Sequence, residues 1–252
     1  MEYLLDVVES WNPDILHFQE CTVPCAQMKK DLLERWPNYV LIDEKVGEIL
    51  CATPIIFDSS RFNLLDQGTE MLQDAYQGVT TKSLAWAVFE EKKSEKILID
   101  LNFHGAVCTA NYDGYEQYSD EQRQEIAAEW RRGNVAQLME KAIELKEIYS
   151  SAGVCFSGDC NFNSDSLAYQ DVKEGGYFDA ETSAVRYSCQ DGLRTSHTLT
   201  LPPEEGKSID HIFADQNLTI ETHDIDRGEK ALKASDHCPV IADLKMEEAP
   251  YA

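Results

Sequence analysis

The sequence predicts a mixed, mainly antiparallel α+β fold, and three observations carry that expectation. Short apolar runs of strand length recur in hairpin-like pairs. Few segments have helical periodicity. The paired runs lack the regular crossover helices that a doubly wound parallel sheet would need. With 252 residues the chain is long enough for a real core. No Pro/Gly-rich linker, low-complexity run or repeat divides it, so one domain over residues 1–252 is expected.

The elements follow in order. Leu4, Leu5, Val7, Val8 and Trp11 recur at helical spacing, and Asn12-Pro13 ends that helix. Ile15-Leu16-His17-Phe18-Gln19 reads as a short buried strand delivering Glu20 at its end. A second helix is expected over 24–34, with Pro24 in its first turn. Strands are expected over 39–42 and 49–57, the latter at an edge or broken because Pro54 has no N–H to donate. Asp58-Ser59-Ser60-Arg61 reads as the turn of a hairpin between 55–57 and 62–65, and 83–90 with 96–104 as a second hairpin. After the polar, irregular segment 105–118, Ser119-Asp120-Glu121-Gln122 has the pattern of a capping box and opens a long helix towards Tyr149, with Gly133 a candidate kink. Gly153 to Ser157 reads as a buried strand, and Ser164 as the cap of a helix ending at Gly175-Gly176. Residues 178–196 carry no clear pattern, and strands are expected over 208–214, 218–226 and 239–245.

Composition narrows the functional classes. Forty-six acidic against 22 basic residues give a formal charge of −24. Duplex nucleic acid is gripped through many Lys/Arg–phosphate contacts, and no basic stripe supplies them, so nucleic acid is a disfavoured partner though a locally attractive cleft stays compatible. No apolar run approaches the ~20 residues a bilayer requires. The acidic first residues have no basic n-region of a signal peptide. Eight cysteines without CxxC spacing or paired histidines read as free thiols in a reducing compartment, which points to the cytoplasm. Oligomeric state is not legible.

Chemistry gathers at the ends of the apolar strands. Gly158-Asp159-Cys160-Asn161 stands where Val154-Cys155-Phe156-Ser157 stops, and Ser235-Asp236-His237 lies far downstream. Alone, a Gly-Asp-x-Asn tetrapeptide is turn chemistry, Asp-His is a surface feature, and His104 is a satisfied, half-buried histidine. Their common position at strand ends, where loops converge on a rigid scaffold, favours a site. Glu20 suits a hard cation such as Mg²⁺, with Mn²⁺ the alternative. Asp159 can orient and deprotonate a water, and Asn161 offers an amide donor to a phosphate without added charge. His237 can donate to a developing oxyanion, with Asp210 holding its other ring nitrogen.

These motifs, in this order, resemble the endonuclease/exonuclease/phosphatase family, the DNase I-like metal phosphoesterases. Pro13-Asp14-Ile15-Leu16-His17-Phe18-Gln19-Glu20 is similar to its PDIxxLQE motif, Asn102-Phe103-His104 to NTH, and Gly158-Asp159-Cys160-Asn161 to GDxN. Ser208-Ile209-Asp210-His211-Ile212-Phe213 is similar to IDYIF, and Ser235-Asp236-His237-Cys238-Pro239 to SDHxP. The resemblance implies a four-layer α/β/β/α sandwich with the site at one rim and a phosphate ester as substrate. It implies metal binding by Glu20, with Asp236 adding metal or water contacts, and Asp159 and Asn161 handling water and phosphate. His237 would hold the phosphate, Asp210 would orient a histidine, and His104 would lie near the leaving group or phosphate. Arg132 would match an arginine at the start of the long helix that contacts substrate. His211 in place of the usual Tyr, and Phe103 in place of Thr, read as mild changes. Family members begin with a strand carrying a metal-holding Asn, whereas Met1 falls at the start of the helix after it, which implies a missing first strand and fewer protein ligands.

The expected function is divalent-metal-dependent hydrolysis of a small or lipid phosphodiester or phosphomonoester. A nuclease is the alternative with the same site. From another class, the missing strand leaves a catalytically impaired remnant or binding module.

Overall fold

A computed structural model describes residues 2–21, 26–42, 45–46, 49–50, 52–72, 82–187, 195–196 and 207–247. Its centre is a six-stranded sheet built from β6 (Phe62–Met71), β7 (Ser83–Glu91), β8 (Ile97–His104), β9 (Gly153–Asp159), β12 (Asp210–Ala214) and β10 (Phe178–Asp179), in the order β10-β12-β9-β8-β7-β6. Only β8 and β9 are parallel within it, joined by the long helix α3 (Asp120–Ile148); the other pairs are antiparallel. Against it lie two three-stranded sheets. One orders β1 (Ile15–His17), β5 (Ile55–Asp58) and β2 (Tyr39–Ile42) as β1-β5-β2. The other orders β11 (Arg186–Tyr187), β13 (Leu218–Ile225) and β14 (Val240–Met246) as β11-β13-β14. β3 (Lys45–Val46) and β4 (Ile49–Leu50) form a small separate ribbon.

Period-two alternation divides the core. On β7, Leu84 and Val88 face one way with Leu101, Phe103 and Phe156, and meet Val135, Leu138 and Ala142 of α3 and Val172 of α4 (Leu167–Glu174). Ala85, Ala87 and Phe89 face the other way and meet Ile55, Phe57 and Ile220 of the smaller sheets, with Ile15, Ala242 and Leu244 alongside. A third cluster sets Val8 of α1 (Glu2–Trp11) and Met28 and Leu32 of α2 (Ala26–Arg35) on Leu16, Tyr39 and Ile56. The order is therefore helix, six-stranded sheet, smaller sheets, helix: the four layers expected. Burying each large apolar side chain contributes roughly 1.5–3 kcal/mol, and Phe89, Phe103, Phe156 and Phe213 are all fully buried.

Several local expectations change. The runs 55–57 and 62–65 do not form a hairpin. Ile55, Ile56 and Phe57 are buried on both faces, so β5 takes the centre of its sheet, pairing with β1 and β2. β6 alternates buried and open positions and is an edge strand on β7. The turn at Asp58, closed by Ser60 N donating to Asp58 Oδ1 at 2.8 Å, is a corner between sheets. The strand expected over 49–57 is broken, β4 ending before Pro54 and β5 starting after it. The strand expected over 208–214 begins at Asp210.

The capping box on α3 forms, Ser119 Oγ accepting from Gln122 N at 3.2 Å and Gln122 Oε1 from Ser119 N at 2.9 Å. Gly133 does not interrupt α3, which runs unbroken past it. The cap of α4 is Ser166, whose hydroxyl accepts from Tyr169 N, two residues after the expected Ser164. The unassigned stretch contains β10, the short helix α5 (Ala180–Ser183) and β11; the part over 188–194 lies outside the described residues, as does the expected first turn at Pro24. Among the described residues no helix is long and apolar enough to cross a membrane.

Candidate active site

Strand register assembles the site. In β9, Asp159 stands opposite His104 of β8 on one side and Asp210 of β12 on the other, so three chemically active residues form one row across adjacent strands. Gly158 permits this approach: a Cβ there would lie 1.8 Å from the Phe103 carbonyl oxygen. At Gly105 a Cβ would lie 2.3 Å from the Cys160 carbonyl oxygen. The loops leaving β8 and β9 are thus in backbone contact, and Gly105 N donates to Asp159 O at 2.8 Å.

His104 is fully buried, beyond the half-burial its sequence position suggests. Its Nε2 lies 3.3 Å from Asp159 Oδ2 and 3.8 Å from Glu20 Oε1. Lys82, buried just before β7, hydrogen-bonds the same nitrogen. Burial alone would raise the Asp159 carboxyl, but its hydrogen bond to His104 and the charges of His104, His237 and Lys82 hold it below the usual carboxylate range. Asp159 is therefore ionised at neutral pH.

Glu20 does not end its strand directly. β1 stops at His17, and Glu20 sits three residues on at φ +54°, an unusual conformation for a long side chain. Asn102 pins that turn, its amide donating to the Phe18 and Pro54 carbonyls at 3.0 Å each, while Gln19 Nε2 donates to Asn102 Oδ1 at 2.7 Å. Asn161 shares the left-handed conformation, φ +54°. Its backbone N donates to Asp159 Oδ1 at 3.0 Å and its side-chain amide to Gly105 O at 3.1 Å.

His237 arrives on the loop before β14, Cys238 N donating to Thr195 O at 2.6 Å. Its Nδ1 donates to Asp210, 2.8 Å from Oδ2 and 3.0 Å from Oδ1. Burial disfavours the charged ring, but the Asp210 hydrogen bond and charge, with Asp159 and Asp236, prevail and raise His237 to about 9. Ligand atoms of Asp159, Asp210 and His237 all lie within 4.8 Å of one another. Asp210 and His237 already satisfy each other, so the carboxylates of Asp159 and Glu20, flanking one ring nitrogen, are the better oxygen donors for a hard cation.

Two expected residues stand apart. Asp236 is exposed and accepts from Ser235 Oγ at 3.4 Å; its charge reaches His237. Arg132 is anchored away from the cluster by a bidentate pair with Asp171 of α4, at 2.7 and 3.1 Å. Its neighbour Arg131 faces the Asp159–Asn161 loop instead, because adjacent helical residues point about 100° apart. Arg131 donates to Asn161 O at 2.5 Å, and burial lowers its affinity for its proton while Asp159 opposes that. Its buried Nε has no hydrogen-bond partner among the described residues. Sequence reading also passed over Lys82; the one signal was a cation at the mouth of a strongly apolar strand.

The chain matches the endonuclease/exonuclease/phosphatase family over residues 1–237. No curated protein matches it. Among solved structures it is similar to an endonuclease/exonuclease/phosphatase from Bacteroides vulgatus, at TM-score 0.75 and 22% identity, covering 98% of this chain and 91% of that one. The mannosyl-6-phosphatase Bt3783 of Bacteroides thetaiotaomicron VPI-5482 gives 0.71 and 19%, over 96% and 89%. D. rerio TDP2 complexed with single strand DNA product gives 0.68 and 16%, over 97% and 91%. At these identities the structural likeness establishes the fold, and the family match extends over nearly the whole sequence. The chain belongs to the endonuclease/exonuclease/phosphatase family, whose members hydrolyse phosphoester bonds and generally use a divalent metal.

Proposed function

We propose that the chain is a divalent-metal-dependent phosphoester hydrolase working by attack of water on phosphorus. The observation that carries this is the row His104–Asp159–Asp210, closed by Glu20 on one side and His237 on the other. Glu20 and Asp159 are the residues that would hold Mg²⁺ or Mn²⁺, and Asp236, exposed on the neighbouring loop, adds negative charge through His237; carboxylate oxygens suit either ion. When bound, the ion supplies positive charge against the phosphoryl oxygens.

The chain's own residues do the rest. Asp159, kept ionised, accepts the proton of the attacking water. An amide has two N–H bonds; Asn161 places one on Gly105 and presents the other to the phosphate. His237, charged at neutral pH and held through Nδ1, donates from Nε2 to a phosphoryl oxygen. Arg131, whose buried Nε–H has no partner among the described residues, adds a fixed positive charge beside Asn161 for the substrate phosphate. His104 stands beside the leaving group.

The charge of −24 favours a small or lipid phosphate ester over duplex nucleic acid. Nucleic-acid phosphodiesters are the second reading, supported by the likeness to TDP2 complexed with single strand DNA product. A panel of sugar phosphates, lipid phosphodiesters and single-stranded oligonucleotides, assayed with Mg²⁺, with Mn²⁺ and with EDTA, tests both. Turnover of at least one small ester that stops in EDTA is expected. Turnover unaffected by EDTA would remove the metal, and turnover of oligonucleotides alone would select the nuclease.

A further inference from the structure

His211 follows Asp210 on β12 but is directed into the protein, where it is fully buried. Its Nδ1 lies 3.1 Å from Asp179 Oδ2 and its Nε2 lies 3.0 Å from the Phe162 carbonyl oxygen. Its ring stacks on Phe162 at 5.7 Å between centroids and 21° between planes, with Tyr169 at 5.6 Å and Phe213 at 5.5 Å around it. Asp179, Glu181 and His211 have the composition of a metal-binding group. They do not form an open one. Asp179 Oδ1 accepts from Glu181 N at 2.9 Å, Tyr169 also hydrogen-bonds Asp179, and the second nitrogen of His211 is taken by Phe162.

Phe162 is the residue after Asn161, and its carbonyl is the next peptide oxygen along the loop. The loop is therefore held at two successive carbonyls: Arg131 donates to Asn161 O and His211 to Phe162 O. Both partners of His211 are acceptors, so its ring must donate from both nitrogens, which an imidazolium can do and a single hydroxyl cannot. We propose that the buried His211–Asp179 pair is a positioning device that fixes the left-handed turn at Asn161, and so aims the Asn161 amide at the substrate phosphate. Burial opposes the charge on His211, and the Asp179 bond and charge, with the Phe162 carbonyl, raise its proton affinity in spite of it. This inference rests on the hydrolase reading above for its effect on rate, but not for its effect on the loop.

The test compares His211→Phe, which keeps the ring stack and removes both donors, with His211→Gln, whose amide can still reach Phe162 O. Each is made alone and combined with Asn161→Ala, and turnover of bis(4-nitrophenyl) phosphate with Mg²⁺ is measured beside hydrogen–deuterium exchange of segment 159–163. His211→Phe should lower kcat by up to about 10²-fold with little change in KM, the size of effect that a misplacement near 1 Å produces. His211→Gln should recover most of it. In the Asn161→Ala background His211→Phe should cost almost nothing more, because both act through one group. Exchange in segment 159–163 should rise about tenfold in His211→Phe while the global melting transition survives. If His211→Phe does not fold, Asp179→Asn, which keeps the volume and weakens the pair, takes its place in the same cycle. Additive rate losses, or unchanged exchange in segment 159–163, would overturn the proposal. Absence of turnover in the unsubstituted protein would count against the hydrolase reading alone, since the exchange result still decides the clamp.

Discussion

Asp210 shows how a single carboxylate sets the chemistry of its neighbour. It holds His237 Nδ1 and raises the ring to about 9, whereas a histidine in the unfolded chain titrates near 6.5. A folded-state value above the unfolded one means stabilisation that is complete below about pH 6.5 and is lost as the pH rises through 9. In EDTA, the melting temperature should therefore fall across that interval, and Asp210→Asn should flatten the fall; a slope that persists in Asp210→Asn would contradict the pairing. Glu20 tests a different function. Glu20→Gln removes one carboxylate charge beside His104 and should raise the Mg²⁺ concentration for half-maximal turnover by about tenfold or more, leaving the melting temperature in EDTA nearly unchanged. An unaltered Mg²⁺ titration would take Glu20 out of the metal site. At this scale the sequence was informative where residue type and strand-end position coincided, as for Asp159 and Asp210, and less so for Glu20, which stands three residues beyond β1. It was silent where a contact depends on which of two adjacent helical residues turns inward: Arg131 and Arg132 are the same residue type, and only packing separates them.

Among the elements, periodicity predicted the existence of most strands and helices but not their partners. The runs around Asp58 look like a hairpin because a polar turn joins two apolar segments, and the same pattern serves a corner between sheets. What distinguishes them is burial on both faces of β5, a property of the folded neighbours and not of the run itself. Ser166 over Ser164 as the α4 cap is a choice between two good capping residues, made by where the helix must start to bring Tyr169 and Val172 into the core. The site depends on one feature between elements, the close passage of β8 and β9. Gly158→Ala would place a methyl 1.8 Å from Phe103 O, in parallel backbone that has no flexible side chain to yield. A loss of about 1–3 kcal/mol in urea denaturation is expected, with a disproportionate fall in kcat as His104 and Asp159 separate. Stability equal to the unsubstituted protein would show that the strands can part freely.

Over the whole molecule, the described thiols lie in the interior. Cys21, Cys108, Cys155, Cys160 and Cys238 are buried. Burial raises Cys155 and Cys160 well above the ordinary thiol range and Cys238 to about 11. A chromogenic disulfide reagent should therefore label at most the three other cysteines of the eight in the native protein, and four rapid equivalents or more would contradict the packing described. The order of the motifs along the chain made the family legible, because each motif lies at or near one end of a strand of one scaffold and five ordered matches seldom coincide. The substrate was not legible, since selectivity lies in loops around the site whose chemistry no short motif encodes.

In the proposed hydrolase, five distant patches close around one hydrolytic centre with Asp159 at its middle. It is tested most directly by single-turnover hydrolysis of bis(4-nitrophenyl) phosphate by the unsubstituted protein and by Asp159→Ala at saturating Mg²⁺. Asp159→Ala should turn over about 10²-fold more slowly or worse, on the order of a lost general base, while still folding. Equal rates for the two would contradict it.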